Sequence, residues 1–169
     1  AQDGRYILNQ LDRRYSVIGV DAYRPPYIPW HMTTVEFFSE VSDHLTNDGA
    51  LVINVGRTDT DRRLVDALTN TLQFVFPTIH AMDVPYSFNT ILVATVQPTS
   101  SQNLIDNLAM PADAHPMLRD TLQLGVNTLV PVSANDILFT DDRAPVETLV
   151  DSIVLDFLLA GGAETFREQ

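Results

Sequence analysis

The chain alternates between short continuous apolar runs and longer stretches in which apolar residues recur at helical spacing. Continuous runs of this length are typical of strands that are buried on both faces, as in parallel sheets. We predict strands at residues 15–21, 50–55, 79–84 and 88–96. Only the turn Pro85-Tyr86-Ser87 separates the last two, which favours a β-hairpin.

Helical periodicity and capping residues mark the segments between these strands. Asp3 can cap the first helix, and Thr33 or Thr34 can cap the second. The Asn-Asp-Gly sequence at residues 47–49 should end that second helix. We predict helices at about residues 5–11, 33–45, 61–74, 102–109, 115–124 and 145–159. Residues 125–139 are apolar without a clear period, and no element is predicted for them.

The order of these elements predicts the fold class. Strands that alternate with helices indicate a parallel sheet with right-handed crossovers, to which the hairpin adds an antiparallel strand. We therefore predict an α/β protein, a three-layer sandwich with a mostly parallel sheet, in a single domain of 169 residues. The chain opens on a helix with no strand before it, and it has no Gly-x-Gly-x-x-Gly turn.

Composition and charge narrow the function. All 10 basic residues are arginine, so lysine Schiff-base chemistry and a lysine-bearing phosphate loop are excluded. A net charge of -12 repels phosphate backbones, and nucleic acid is not an expected partner. The absence of cysteine excludes disulfides and thiolate sites and fits a cytoplasmic protein. No apolar run is long enough to span a membrane, and we expect no membrane insertion of this chain.

One acidic residue is a candidate for a functional site. Asp21 falls where the first predicted strand should end, and ligands of open α/β sheets bind just beyond the carboxyl ends of strands. The same residue could instead only cap a turn or accept hydrogen bonds from loop amides, and its position alone leaves both readings open. The histidines show no metal-ligand spacing, so we expect no metal site.

Several segments, taken together, resemble one protein family. The segments are Asp3-Gly4-Arg5, residues 15–21, 33–38 and 45–56, and Thr140-Asp141-Asp142 with Ala144-Pro145-Val146-Glu147. In their order and spacing, the chain is similar to the spermidine synthase (polyamine aminopropyltransferase) family, and most similar to spermidine synthase-like bacterial proteins. These proteins have the Rossmann-like fold of S-adenosylmethionine-dependent methyltransferases.

The resemblance implies that residues 1–169 are the C-terminal half of a catalytic domain. The sheet core would be residues 1–97 and the helical C-terminal part residues 98–169. The strands that carry the nucleotide-binding loop in the family would lie upstream, in a missing N-terminal half or in a partner chain. The family usually forms homodimers, so a homo-oligomer is also expected.

The resemblance also implies roles for individual residues. Asp3, Gly4 and Ala22 would contact the nucleoside, which is S-adenosylmethionine or its decarboxylated form. Asp21 would take a proton from the attacking amine. Tyr86 would stand in for a tyrosine of the amine pocket.

Two further positions, Tyr23 and Arg24, would contact the substrate. The family has a second acid at the position of Arg24, where it holds the diamine, and an arginine would repel a polyamine. The resemblance implies aminopropyl transfer to a small amine. A methyltransferase with another acceptor is the alternative that Arg24 favours, and a non-catalytic module for nucleoside binding or assembly is the third reading.

Overall fold

The computed structural model describes residues 2–22, 27–109 and 114–161. Within these residues the chain forms helices, strands and two short 3-10 turns, at Trp30–Met32 and Asn107–Ala109. The helices are α1 (Gly4–Leu8), α2 (Val35–Asp43), α3 (Arg63–Gln73), α4 (Ser101–Asp106), α5 (Pro116–Asn127) and α6 (Val146–Leu159). The strands are β1 (Tyr15–Val20), β2 (Leu45–Gly56), β3 (Thr78–Asp83), β4 (Asn89–Thr95) and β5 (Leu129–Val130). The prediction of an α/β fold is confirmed.

The sheet is mixed, and the prediction of a mostly parallel sheet is wrong. Its strand order is β1-β2-β4-β3-β5. Only β1 and β2 pair in parallel, whereas β2–β4, β3–β4 and β3–β5 are antiparallel in the described residues. The physical reason is the predicted hairpin, because its second strand, β4, inserts between β2 and β3 and runs opposite to both.

The core lies on one face of this sheet. Along β2, fully buried Leu51 and Val55 alternate with half-buried neighbours, so one face of the strand carries most of the packing. Helices α2, α3 and α6 supply Phe38, Leu68 and Val150 to the same buried cluster. On the opposite face of β3, α5 forms the third layer, because a Cβ added at Gly125 would lie 3.3 Å from the Met82 sulfur.

The prediction that the Asn-Asp-Gly sequence at residues 47–49 ends α2 is wrong, because these residues lie within β2. Helix α2 stops earlier, at Asp43, and His44 closes it with its Nδ1 2.8 Å from the carbonyl of Glu40. The extra residues are taken up by a register irregularity between β1 and β2. Glycine suits this position, because a Cβ at Gly49 would make a tight contact, 3.0 Å from the Leu45 Cβ.

The aperiodic stretch after α5 crosses the outside of the core. After β5, the Asn135 side chain donates to the carbonyl of Arg63 at 3.0 Å. Phe139 is fully buried, and its carbonyl accepts from the amide of Val35 at 3.0 Å. Side-chain hydrogen bonds and the buried ring of Phe139 hold this segment in place. Neither kind of contact produces a periodic pattern of apolar residues in the sequence. The segment therefore runs over α3 to the start of α2, and then enters a tight turn at residues 140–143.

Candidate functional site

Asp21 lies at the carboxyl end of β1, directly after Val20. Val20 is opposite Ile53 in the parallel pair, so the next residues on the two strands are also neighbours. Accordingly, the Asn54 side-chain amide donates a hydrogen bond to Asp21 Oδ1 at 3.1 Å. Asp21 is exposed and the following Ala22 is half-buried. An exposed carboxylate held at the edge of a buried sheet can bind a cationic group.

Asp3 is the N-cap of α1. Its Oδ1 accepts from the amide of Tyr6 at 3.1 Å, and its Oδ2 lies 2.7 Å from His31 Nε2. The hydrogen bond from Tyr6, followed by the one to His31, holds the pKa of Asp3 below its usual range. Gly4 approaches the turn Trp30–Met32, because a Cβ there would lie 3.4 Å from the Met32 methyl. The start of α1 is therefore fastened to the segment that follows Asp21 in the sequence.

Arg5 is an important residue of this region that the sequence analysis missed. Its guanidinium forms paired hydrogen bonds with Glu40, at 2.8 and 2.6 Å, and with Asp141, at 2.8 and 2.8 Å. Its Nη1 also donates to the carbonyl of His31 at 3.0 Å. The bonds to Glu40 and then to Asp141 raise the pKa of Arg5 further above its ordinary value. Its place in the Asp3-Gly4-Arg5 motif was the available signal.

Asp141 joins three of the segments that carried the family resemblance. Besides Arg5, it accepts a hydrogen bond of 2.7 Å from the hydroxyl of Thr34. Thr34 is also the N-cap of α2, as predicted, accepting from the amide of Phe37. The bonds from Arg5 and then Thr34 outweigh burial and hold the pKa of Asp141 below its usual range. Motifs at both ends of the chain thus converge on one ion-pair cluster.

A second acid of the C-terminal region contacts the segment after Asp21. The Tyr27 hydroxyl donates to Asp151 Oδ1 on α6 at 2.6 Å, and this bond raises the pKa of Tyr27. The next residue, Ile28, is buried in the core. Residues 27–32 are therefore anchored at both ends, by α6 on one side and by Asp3 and Arg5 on the other.

Tyr86 lies in the turn between β3 and β4. This turn is at the end of the sheet where β1 and β2 terminate, which is also the end that carries Asp21. Tyr86 is fully exposed and has a φ of 56°, a backbone conformation that is uncommon for a side chain of its size. In the described part of the chain we find no hydrogen bond between Tyr86 and Asp21. The predicted substrate contacts Tyr23 and Arg24 lie outside the described residues.

A compact polar cluster lies at the same end of the sheet as Tyr86. Asp83 accepts from Arg62 at 2.9 and 2.8 Å and from the Thr90 hydroxyl at 2.6 Å, and the Arg57 Nε lies 3.4 Å away. Burial raises the pKa of Asp83, but the bonds from Thr90 and Arg62 outweigh it and the net pKa is lowered. Because these charges satisfy one another, the cluster holds the ends of β3 and β4 together.

The open side of β1 borders a shallow apolar hollow of about 260 Å³ under α1. Its walls come from both elements, and Val17 on β1 is 59% exposed. Among residues 2–22, 27–109 and 114–161, no group of three or more acidic or histidine side chains could hold a metal ion. Among the same residues, no helix has both the length and the apolar character needed to cross a membrane.

Comparison with known proteins identifies relatives that are named as polyamine aminopropyl transferases. No family model matches the chain. A probable polyamine aminopropyl transferase from Bifidobacterium longum (strain NCC 2705) is 33% identical over 178 residues. This match covers 91% of the chain described here but only 39% of the relative. The chain thus spans well under half the length of that protein.

Solved structures with low sequence identity share the fold. Spermidine synthase in complex with the transition-state analogue AdoDATO superposes with a TM-score of 0.54 at 15% identity, covering 76% of this chain and 46% of that one. Human methyltransferase-like protein 13 in complex with SAH superposes with a TM-score of 0.52 at 23% identity, covering 80% of this chain and 60% of that one. These neighbours support a methyltransferase-like α/β fold.

Proposed function

Because this chain is spermidine synthase-like in sequence and fold, we propose that it is part of an enzyme that transfers an aminopropyl group. The donor would be decarboxylated S-adenosylmethionine and the acceptor a small amine, which places the protein in polyamine biosynthesis. The observation that carries the proposal is the Asp21 carboxylate, held by Asn54 at the carboxyl end of the parallel pair β1–β2.

The chemistry requires a base beside the acceptor. A primary amine is mostly protonated at neutral pH, so a carboxylate first binds the ammonium and then removes its proton. The freed lone pair attacks the methylene carbon next to the sulfonium. A C–N bond forms as the C–S bond breaks, methylthioadenosine leaves as a neutral thioether, and the proton stays on the base. We assign the role of base to Asp21, which is exposed and adjacent to the end of a buried strand.

We assign the nucleoside side of the site to Asp3, Gly4 and Ala22. The hydrogen bonds from Tyr6 and His31 orient the Asp3 carboxylate, and Ala22 adjoins the proposed base. Tyr86 would contact the amine from the β3–β4 turn, and its full exposure leaves it free to do so.

The sheet supports a division of the catalytic domain between this chain and further strands. In the described residues β1 is a border strand, with β2 on one side and the apolar hollow near the other. We propose that a strand from the rest of the catalytic domain, or from a second copy, pairs with this border. A complete site would then need residues from both sides of β1.

The first experiment is an activity assay of the protein at its natural length. Decarboxylated S-adenosylmethionine is supplied with a panel of diamines, and methylthioadenosine release is measured. Substitution Asp21→Asn should lower turnover by about 10²-fold or more, while affinity for methylthioadenosine stays nearly unchanged. Asp12→Asn is the control, because it removes an exposed acid that precedes the amino end of β1, at the opposite end of this strand from Asp21, and it should leave turnover unchanged. Equal turnover of Asp21→Asn and wild type would contradict the assigned base.

The second candidate is methyl transfer from S-adenosylmethionine to another acceptor. The observation that favours it is Arg24, where an acid would be needed to hold a diamine. The same assay with S-adenosylmethionine separates the two, because methyl transfer releases S-adenosylhomocysteine rather than methylthioadenosine. Binding of nucleoside with neither product would instead support a non-catalytic module.

A further inference from the structure

Two acids from the C-terminal region reach the same short segment beside the proposed site. We call residues 140–151, which comprise the turn 140–143 and the first part of α6, the C-terminal clasp. Asp141 contacts the segment 27–32 through Arg5, and Asp151 contacts it directly through Tyr27. Sequence separations of 136 and 124 residues make these contacts long-range features of the fold.

The first contact runs through a guanidinium that has little freedom. Arg5 is 16% exposed and is fixed by Glu40 on one side and Asp141 on the other. Paired hydrogen bonds to two carboxylates fix the plane of a guanidinium more strictly than single bonds do. Its remaining donor capacity is directed at the carbonyl of His31. Asp141 of the turn 140–143 and Glu40 of α2 therefore together hold the guanidinium that binds this carbonyl.

The second contact rests on a helix that is anchored in the core. Val146 and Val150 of α6 are buried, so the neighbouring Asp151 projects from a rigid base. Its Oδ1 accepts the Tyr27 hydroxyl at 2.6 Å, and Ile28 is buried beside this contact. A hydrogen bond to a charged acceptor is stronger than one between neutral groups.

We propose that Asp141 and Asp151 are positioning residues that hold segment 27–32 in place for acceptor binding. The inference rests on the proposed function. Residues 22–26 connect this segment to Asp21, and a chain this short limits how far Asp21 can move relative to Tyr27. The clasp therefore sets the point at which the chain that leaves Asp21 rejoins the core, at Tyr27 and buried Ile28.

The experiment compares variants of the natural-length protein. Asp141→Asn and Asp151→Asn each remove the charge of one contact and so weaken its hydrogen bonds, and Tyr27→Phe removes the second bond entirely with no change of charge. The matched control is Asp156→Asn, because Asp156 is an acid of the same helix whose partner is Arg63 on α3, at 2.6 Å. The Michaelis constant for the acceptor, kcat, and the thermal midpoint are measured for each variant.

A positioning role predicts a specific kinetic pattern. The acceptor KM should rise about threefold for each single variant and about tenfold for Asp141→Asn/Asp151→Asn, with kcat changed less than about threefold. Tyr27→Phe should raise the acceptor KM at least as much as Asp151→Asn, because it removes a bond that asparagine only weakens, and Asp156→Asn should keep the wild-type KM. Amide hydrogen exchange at residues 27–32 should be faster in the clasp variants than in the control.

Two results would overturn the inference while the proposed function stands. One is an active wild type whose acceptor KM is unchanged in both Tyr27→Phe and Asp151→Asn. The other is an equal rise in KM for Asp156→Asn, since the effect would then come from α6 charge or stability in general. A wild-type protein that transfers no group from either donor overturns the proposed function itself, and this inference with it. Tyr27→Phe is the smallest change and keeps the test decisive if the Asp141 variants fail to fold.

Discussion

The two edges of the sheet differ in how the chain covers them. On one edge β5 pairs with β3, with Leu129 opposite Met82, and the chain then crosses to α3 and α2. On the other edge, β1 has β2 as its one partner among the described strands, and Val17 is 59% exposed. A strand of only two residues borders the first edge, which we call the closed edge because it offers little backbone for further pairing, whereas β1 offers a strand of six residues.

The composition of β1 makes this difference informative. Proteins protect an exposed edge with charged residues, proline or a covering element, because an uncovered strand is a template for further pairing. The β1 sequence Tyr-Ser-Val-Ile-Gly-Val has neither charge nor proline. The β1 edge, which ends at the proposed base Asp21, is therefore suited to pairing with more chain.

The largest expected effect tests the closed side. Phe139→Ala should lower the free energy of unfolding by about 3–5 kcal/mol, because the ring is fully buried and its loss leaves a cavity. Phe74→Ala is the control, since that ring is 64% exposed and should cost less than about 0.5 kcal/mol. Chemical denaturation of the 169-residue chain measures both. Equal losses for the two variants would show that the crossing segment is not anchored.

An intermediate effect is expected for Arg5, which ties α1, next to the open edge, to the C-terminal clasp. Arg5→Met should cost about 1–2 kcal/mol at neutral pH, since two partly exposed carboxylates lose their partner. Arg5 lowers the folded-state pKa of Glu40 and Asp141 below 4.5 and 3.8. Such groups stabilise the fold above their unfolded pKa, and that contribution is lost as the pH falls through the folded value.

The wild type should therefore lose more stability below pH 4.5 than Arg5→Met does. Unfolding curves of both proteins in acid, with Arg13→Met as a control at an exposed position, measure this difference. Parallel curves for the wild type and Arg5→Met would contradict the assignment of the lowered pKa values to Arg5.

The smallest effect on stability is expected at the open edge. Val17→Lys should change the free energy of unfolding by less than about 0.5 kcal/mol, because the side chain is largely exposed. It should nevertheless reduce self-association of the 169-residue chain, since a lysine on an edge strand opposes further pairing. Sedimentation velocity over a range of concentrations measures this change. If Val17→Lys self-associates as much as the wild type does, the inference that β1 pairs with further chain is contradicted.

Local signals predicted much of the fold. Apolar runs and periodic segments predicted β1, β3, β4 and the helices to within a few residues, and the later part of β2. Asp3 caps α1 as predicted, and Thr34, one of the two candidates, caps α2. The stop predicted at residues 47–49 was wrong because the pairing of β2 with β1 extends that strand over residues that usually form turns. The prediction of a mostly parallel sheet was wrong because the order of elements in the sequence does not show where the second strand of a hairpin, here β4, inserts into the sheet.

The candidate site was predictable in part. Asp21 could be placed because it follows an apolar run, and periodicity finds such ends reliably. Arg5 and Asp141 could not be paired, since no local signal links residues 136 positions apart. Their motifs were visible, but the contact between them exists only in the folded chain. The functional roles of Asp3, Gly4, Asp21, Ala22 and Tyr86 stay predictions.

Helices α4 and α5 connect strands that lie on opposite sides of β3. Strand β4 lies on one side of β3 and β5 on the other, so the polypeptide must pass over the sheet between Thr95 and Leu129. The two helices make this passage, and Gly125 lets α5 come within van der Waals range of Met82 as they do so. Protein engineers who shorten this bridge would disconnect β5 and uncover Met82 in the same step.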